Sequence, residues 1–153
     1  MMAARQLTTT SAMTFNERVY RGAQWSEVIH LRQLSQPVIE AVKRLLTVRE
    51  LPHSWDSYES PPPSELAIGV AIRLLIGVDL DEFPSPRIVP ISGGGVQLEW
   101  DVGSRELELE ILSDGTIRYL KVEEGEPTEE SEIGPSHFAR LASLLSWLIS
   151  ETS

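Results

Sequence analysis

A chain of 153 residues with no cysteine can bury a core unaided, and it has no thiol for catalysis, for a disulfide or for a cysteine-ligated metal. Its formal net charge is −10, and all of it lies in the second half: residues 1–80 hold eight acidic and eight basic side chains, residues 81–153 fifteen and five, together the 23 and 13 of the whole chain. That balance disfavours attraction to nucleic-acid phosphates and suits either solubility or a basic partner.

Met1 to Ser11 is polar and threonine-rich, without the apolar run of a signal peptide. Residues 1–14 therefore read as a flexible leader and 15–153 as a single α+β domain. Phe15 to Leu34 contains Phe15, Val19, Tyr20, Trp25, Val28, Ile29 and Leu31 in weakly helical spacing, with Trp25 and Ile29 on one face. Ser35 is a candidate N-cap with Pro37 in the first turn, and Val38, Val42, Leu45 and Leu46 form a stripe that predicts a helix to about Arg49.

Leu51 to Ser60 is a short connector holding Trp55 and Tyr58, in which Asp56 and Ser57 can cap local N–H groups. Pro61 to Val78 follows, with three apolar rows at spacing four: Leu66, Val70 and Leu74; Ala67, Ala71 and Leu75; Ile68, Ile72 and Ile76. A helix apolar nearly all round is expected to be buried on several sides, with the rest of the chain packed around it. Arg73 interrupts its apolar stretch, which is too short to span a bilayer, so no membrane is expected; the lack of cysteine and of a signal peptide fits a cytoplasmic location.

After a polar loop over Asp79 to Pro86, four strands are predicted. Arg87 to Ile91 is short, and Pro90 argues for an edge. Val96 to Trp100 puts Val96, Leu98 and Trp100 on one face. Arg105 to Ile111 puts Leu107, Leu109 and Ile111 inward, with Glu106, Glu108 and Glu110 outward. Thr116 to Val122 follows the Ser113-Asp114-Gly115 turn. Glu123 to Gly134, with six glutamates, a proline and two glycines, reads as an acidic loop. Pro135 and Ser136 open a last helix whose stripe is Phe138, Leu141, Leu145 and Leu148, widened by Leu144 and Trp147. The expected architecture is α+β, with three or more helices packed on one face of a four-stranded antiparallel meander.

Gly93-Gly94-Gly95 lacks the lysine, the hydroxyl residue and the following helix of a phosphate loop, and reads as a hairpin turn. His30, His53 and His137 lie in separate segments without metal-site spacing, and no serine sits in a Gly-x-Ser-x-Gly elbow. No catalytic residue, metal ligand or cofactor is assigned. Glu106, Glu108 and Glu110 share a strand face with Gln97 and Glu99 beside them, and carboxylates two residues apart on a strand stand roughly 6.5 Å apart. Such a row reads first as a solvated sheet face, next as a surface for basic side chains, and last as a site for a single ion. Four tryptophans is a high count for this length. Trp100 and Trp147 fit the core, Trp147 also a subunit contact, and Trp25 and Trp55 fit interface anchors.

Trp55-Asp56-Ser57-Tyr58, the run Ile91 to Trp100 and Leu107 to Ile111 before Asp114-Gly115 together resemble a group of small, uncharacterised bacterial proteins with a tryptophan–aspartate connector and a Val-x-Leu-Glu-Trp strand. The likeness covers roughly residues 50–122. It implies a bacterial or mobile-element origin and carries no catalytic roles.

The functional expectation is a non-enzymatic interaction module, antitoxin-like or regulatory. Its acidic sheet face and acidic loop would engage a basic protein partner or a second copy. The partner-binding residues would be Trp25, Trp55, Tyr58, Glu99, Glu106, Glu108, Glu110, Glu123, Glu124 and Trp147. Two alternatives stand beside it. One is a small carboxylate- or metal-dependent enzyme, which requires Asp56, Glu65 or the strand glutamates to converge in a pocket. The other is a homomeric structural protein.

Overall fold

The computed structural model describes residues 34–78, 83–134 and 137–150. The leader, the Phe15–Leu34 segment except for Leu34, and Trp25 lie outside the described residues. Ser35–Ser153 form one compact unit. Within it, three helices and one five-stranded antiparallel sheet make an α+β fold among the described residues.

Helix α1, Gln36–Arg49, buries Val38, Ala41, Val42, Leu45 and Val48, a stripe at spacing three and four. Pro37 sits in its first turn, where a missing N–H is harmless. Ser35 occupies the cap position with extended backbone, but its hydroxyl makes no cap bond; only its carbonyl engages the helix, accepting from Ile39 N at 3.1 Å.

Helix α2, Glu65–Gly77, starts after the prolines, at Ser64, whose Oγ accepts from Ala67 N at 3.0 Å. Glu65 in its first turn complements the positive end of the helix dipole. The apolar coat is not buried all round. Ala67, Ile68, Ala71, Leu74 and Leu75 are buried, whereas Leu66 is 48% exposed. Among the described residues no helix is long and apolar enough to cross a membrane.

The sheet runs β1 (Arg87–Ile91), β2 (Gly95–Val102), β3 (Arg105–Ile111), β4 (Ile117–Glu123) and β5 (Glu126–Glu132), each strand beside its sequence neighbour. Registered rows of side chains build its buried face: Ile88, Leu98, Leu109 and Tyr119; Val96, Ile111 and Ile117; Trp100 and Leu107. Helix α3, His137–Ile149, contributes Leu141, Leu144, Leu145 and Leu148 to the same core and contacts β2, β3 and α2. Trp100 is buried with its Nε1 donating to Pro84 O at 3.0 Å, so the one polar atom of the largest core side chain is satisfied.

The expectation of four strands is overturned. Glu126–Glu132, which reads as part of an acidic loop, is β5, paired with β4 from Arg118↔Glu132 to Glu123↔Glu126. The two residues between them, Glu124 (φ 54°) and Gly125 (φ 81°), both have left-handed backbone, the two-residue hairpin geometry that suits twisted strands. As an edge strand, β5 buries no side chain, so it carries no apolar alternation. Ion pairs to β4 support the ladder instead: Lys121 Nζ to Glu129 at 3.1 Å, and Arg118 Nε to Glu132 at 3.8 Å.

Candidate functional site

Because side chains alternate along a strand, the register that buries Leu98, Leu109 and Tyr119 sends their neighbours to the opposite face. Three rows on that face bring acidic and amide groups directly opposite one another across β2 and β3: Gln97↔Glu110, Glu99↔Glu108 and Asp101↔Glu106. Five carboxylates therefore stand together on adjacent strands, with opposed Cα atoms about 4.5–5.5 Å apart.

Cations flank the cluster. On β1, Arg87 lies opposite Glu99 and its Nε donates to Glu99 Oε2 at 2.6 Å, while Gln97 Nε2 donates to Glu99 Oε1 at 2.9 Å. On β4, Arg118 lies opposite Glu110. Glu108, in the middle, is held above the ordinary carboxylate range first by partial burial, then by the charges of Glu99, Glu106, Glu110 and Asp101. Half-buried Leu120 and buried Val122 lie beside it on β4, and Glu130 continues its row on β5.

Chemically this is a row rather than a cage. Among the described residues no group of three or more histidine, aspartate or glutamate side chains could hold a metal ion. Carboxylates spaced by the strand repeat instead present several separate acceptors to lysine and arginine side chains.

Of the residues singled out in the sequence, the structure brings together Glu99, Glu106, Glu108 and Glu110. Asp101, Glu130 and Glu132 belong to the same face, although the sequence pattern puts Asp101 beyond the strand that ends at Trp100 and places Glu130 and Glu132 in an acidic loop. Strand parity is the signal that finds them. Glu123 does not join. It stands on the helix-facing side, where its carboxylate meets Arg105 Nε at 3.0 Å. Arg105 Nη1 in turn donates to Trp147 O at 2.6 Å, Ser150 O at 2.8 Å and Ser150 Oγ at 2.7 Å, closing the carboxyl end of α3.

Trp147 lies under two cations of its own chain, Lys121 Nζ at 4.4 Å and Arg105 Cζ at 5.1 Å from its ring centroid. Glu124 is exposed in the β4–β5 turn. Glu129, also on the helix side, accepts from the Tyr119 hydroxyl, from Lys121 and from Arg140 Nη2 at 2.6 Å. The Tyr119 hydrogen bond and then Lys121 hold its carboxylate below the ordinary range.

Trp55 and Tyr58 lie in the connector, at the end of the sheet that carries the β1–β2 and β3–β4 turns. Asp56 organises this segment. Its carboxylate accepts from Ser60 Oγ at 2.5 Å, Tyr58 N at 2.9 Å, Ser92 Oγ at 3.0 Å and Ser60 N at 3.3 Å. These bonds, the Ser60 hydroxyl foremost, lower its pKa to about 2. Trp55 Nε1 donates to Pro61 O at 2.9 Å, and Ser64 ties on to both turns through Gly94 O and Ser113 O, each at 2.8 Å.

Three non-glycine residues of the connector, Ser54, Ser57 and Glu59, have φ between 62° and 66°, a conformation that persists only where its surroundings impose it. Tyr58 stands out from it, 85% exposed. The triglycine run closes the β1–β2 turn. A Cβ at Gly95 would lie 2.7 Å from Ile111 O, so close strand approach accounts for that residue.

No protein-family model matches this chain, and no curated protein and no solved structure matches it either.

Proposed function

We propose that this chain is a non-enzymatic interaction module whose acidic sheet face binds a basic protein partner. The observation that supports this reading is the direct opposition of Glu99 to Glu108 and of Asp101 to Glu106 across adjacent strands. Like charges placed this way destabilise a sheet, and after partial burial they are the second cause that raises the Glu108 pKa. Lysine or arginine side chains from a partner would relieve that repulsion on binding, so the face is more comfortable occupied than bare. Leu120 and Val122 beside the carboxylates add an apolar floor for the stems of such side chains.

The test is capture from a lysate of the source organism by the immobilised chain and by a Glu106→Gln/Glu108→Gln/Glu110→Gln variant. At about 50 mM salt, where charge attraction is weakly screened, the native chain should retain a protein with a basic surface, and the variant should release it. Retention of nothing at low salt, or equal retention by the variant, refutes the proposal.

A further inference from the structure

The two edges of the sheet differ. β1 carries Pro90, which has no N–H to offer, and it contacts α1. β5 has β4 on one side and no strand on the other among the described residues, and six of its seven residues are exposed. Ile133 N donates to Ile117 O at 3.0 Å, one residue beyond the end of the strand. Antiparallel alternation then turns the backbone groups of Ser131 and Glu129 toward β4 and those of Glu130 and Glu132 toward the open edge. The side chains of these same two residues stand on the acidic face, Glu130 in the row of Glu99 and Glu108, and Glu132 in the row of Glu110.

We propose that the free edge of β5 accepts an extended protein segment with lysine or arginine at alternate positions, which adds to the sheet as a sixth strand. This rests on the acidic-face reading and specifies the form in which the basic partner is bound. Backbone hydrogen bonds to Glu130 and Glu132 supply the docking, as in other strand additions. Cationic side chains at every second position fall directly opposite the two carboxylates on the acidic face.

The charges also select the occupant. A second copy pairing through β5 would set glutamate against glutamate, and an apolar strand would find no buried side chain on β5 to pack against. The irregularity between Lys121 and Val122 and the proline at position 127 confine the regular edge to Thr128–Glu132, so a short segment suffices.

The experiment uses the full ¹⁵N-labelled chain and two peptides, each about seven residues long to span one strand. One alternates lysine with valine. The other has the same sequence with its lysine backbone nitrogens methylated, so it keeps the charge but loses the N–H donors that face Glu130 and Glu132. The unmethylated peptide should shift the amides of Glu130 and Glu132, protect them from hydrogen exchange and bind at least ~10-fold more tightly than the methylated peptide. Glu130→Pro, which deletes one edge donor, should erase that difference. Should this variant misfold, nuclear Overhauser contacts between peptide Hα atoms and β5 in the native chain report strand pairing directly, and their absence from the bound complex would refute it.

Equal affinity of the two peptides, with shifts confined to Glu99, Glu106, Glu108 and Glu110, would overturn strand addition and leave the acidic-face reading standing. Failure of both peptides to bind at low salt would remove both.

Discussion

Glu108→Gln should stabilise the fold while loosening its hold on a basic ligand. Glu108 faces Glu99 across the β2–β3 ladder and has Glu106 and Glu110 two positions away on its own strand. At about 5.5 Å the first repulsion is about 0.75 kcal/mol in water, and each of the others, at about 6.7 Å, is about 0.6 kcal/mol. Screening at physiological salt roughly halves each, leaving about 1 kcal/mol, and the Arg87–Glu99 pair lowers this further, to about 0.5–1 kcal/mol. Glutamine keeps the shape and removes the charge, so the variant should melt ~2–6 °C higher at pH 7.

The pH dependence follows from the raised pKa of Glu108. A carboxyl that the fold pushes upward contributes most favourably when protonated, and that contribution is lost as pH rises through the folded-state value. The gap between variant and native chain is therefore widest near neutrality and closes as pH falls through the carboxylate range. Urea denaturation at pH 7 in about 50 mM and about 500 mM NaCl measures it. A native chain more stable than Glu108→Gln, or a gap indifferent to salt, would refute the electrostatic account of this face.

Three further outcomes are expected. Arg105→Ala removes an ion pair, three hydrogen bonds at the carboxyl end of α3 and a cation over Trp147. It should cost ~2–3 kcal/mol in urea denaturation, with Arg105→Lys recovering less than half. Asp56→Asn weakens the acceptor of four hydrogen bonds. Because the Asp56 pKa is lowered from 3.8 to about 2, its stabilisation is present above the ordinary value and lost as pH falls through the lowered one. Hydrogen exchange at Tyr58 and Ser60 should accelerate in the variant at neutral pH, while the native chain keeps its protection down to a pH of about 3. Gly95→Ala drives a methyl group to 2.7 Å from Ile111 O and 2.8 Å from the Ile91 side chain, and thermal melting should show a loss of ~1–3 kcal/mol.

What could be read from the chain depended on whether a strand or helix buries one face. β2 and β3 announce themselves because Val96, Leu98 and Trp100, and then Leu107, Leu109 and Ile111, must all enter the core. β5 has no such obligation. Its strand character comes from the backbone ladder, the Glu124–Gly125 turn and ion pairs to β4, none of which leaves an apolar period. The acidic face was half legible for the same reason: the three β3 glutamates stood out, while Asp101, Glu130 and Glu132 were hidden in segments that read as turn and loop. Glu123 shows parity unused. Since Ile117 and Tyr119 point into the core, Lys121 and Glu123 must follow them to the helix side, where charged residues bind their own chain. Ser35 shows the limit of cap signals, for the right residue in the right place makes no bond.

The segment from Trp55 to Ser64 reaches the tips of both the β1–β2 and β3–β4 hairpins, and this makes the two ends of the sheet unequal toward change in chain length. At the tied end, a residue inserted near Ser92–Gly94 or Ser113–Gly115 would have to break a clasp that also seats the start of α2. At the far end the two turns meet only through Glu124 N donating to Ser104 O at 2.8 Å among the described residues, and no described residue apart from chain neighbours stands within 4 Å of a Cβ built on Gly103 or Gly125. Natural variation in loop length, an appended label or a grafted peptide would be accommodated there, leaving the core and the acidic face intact.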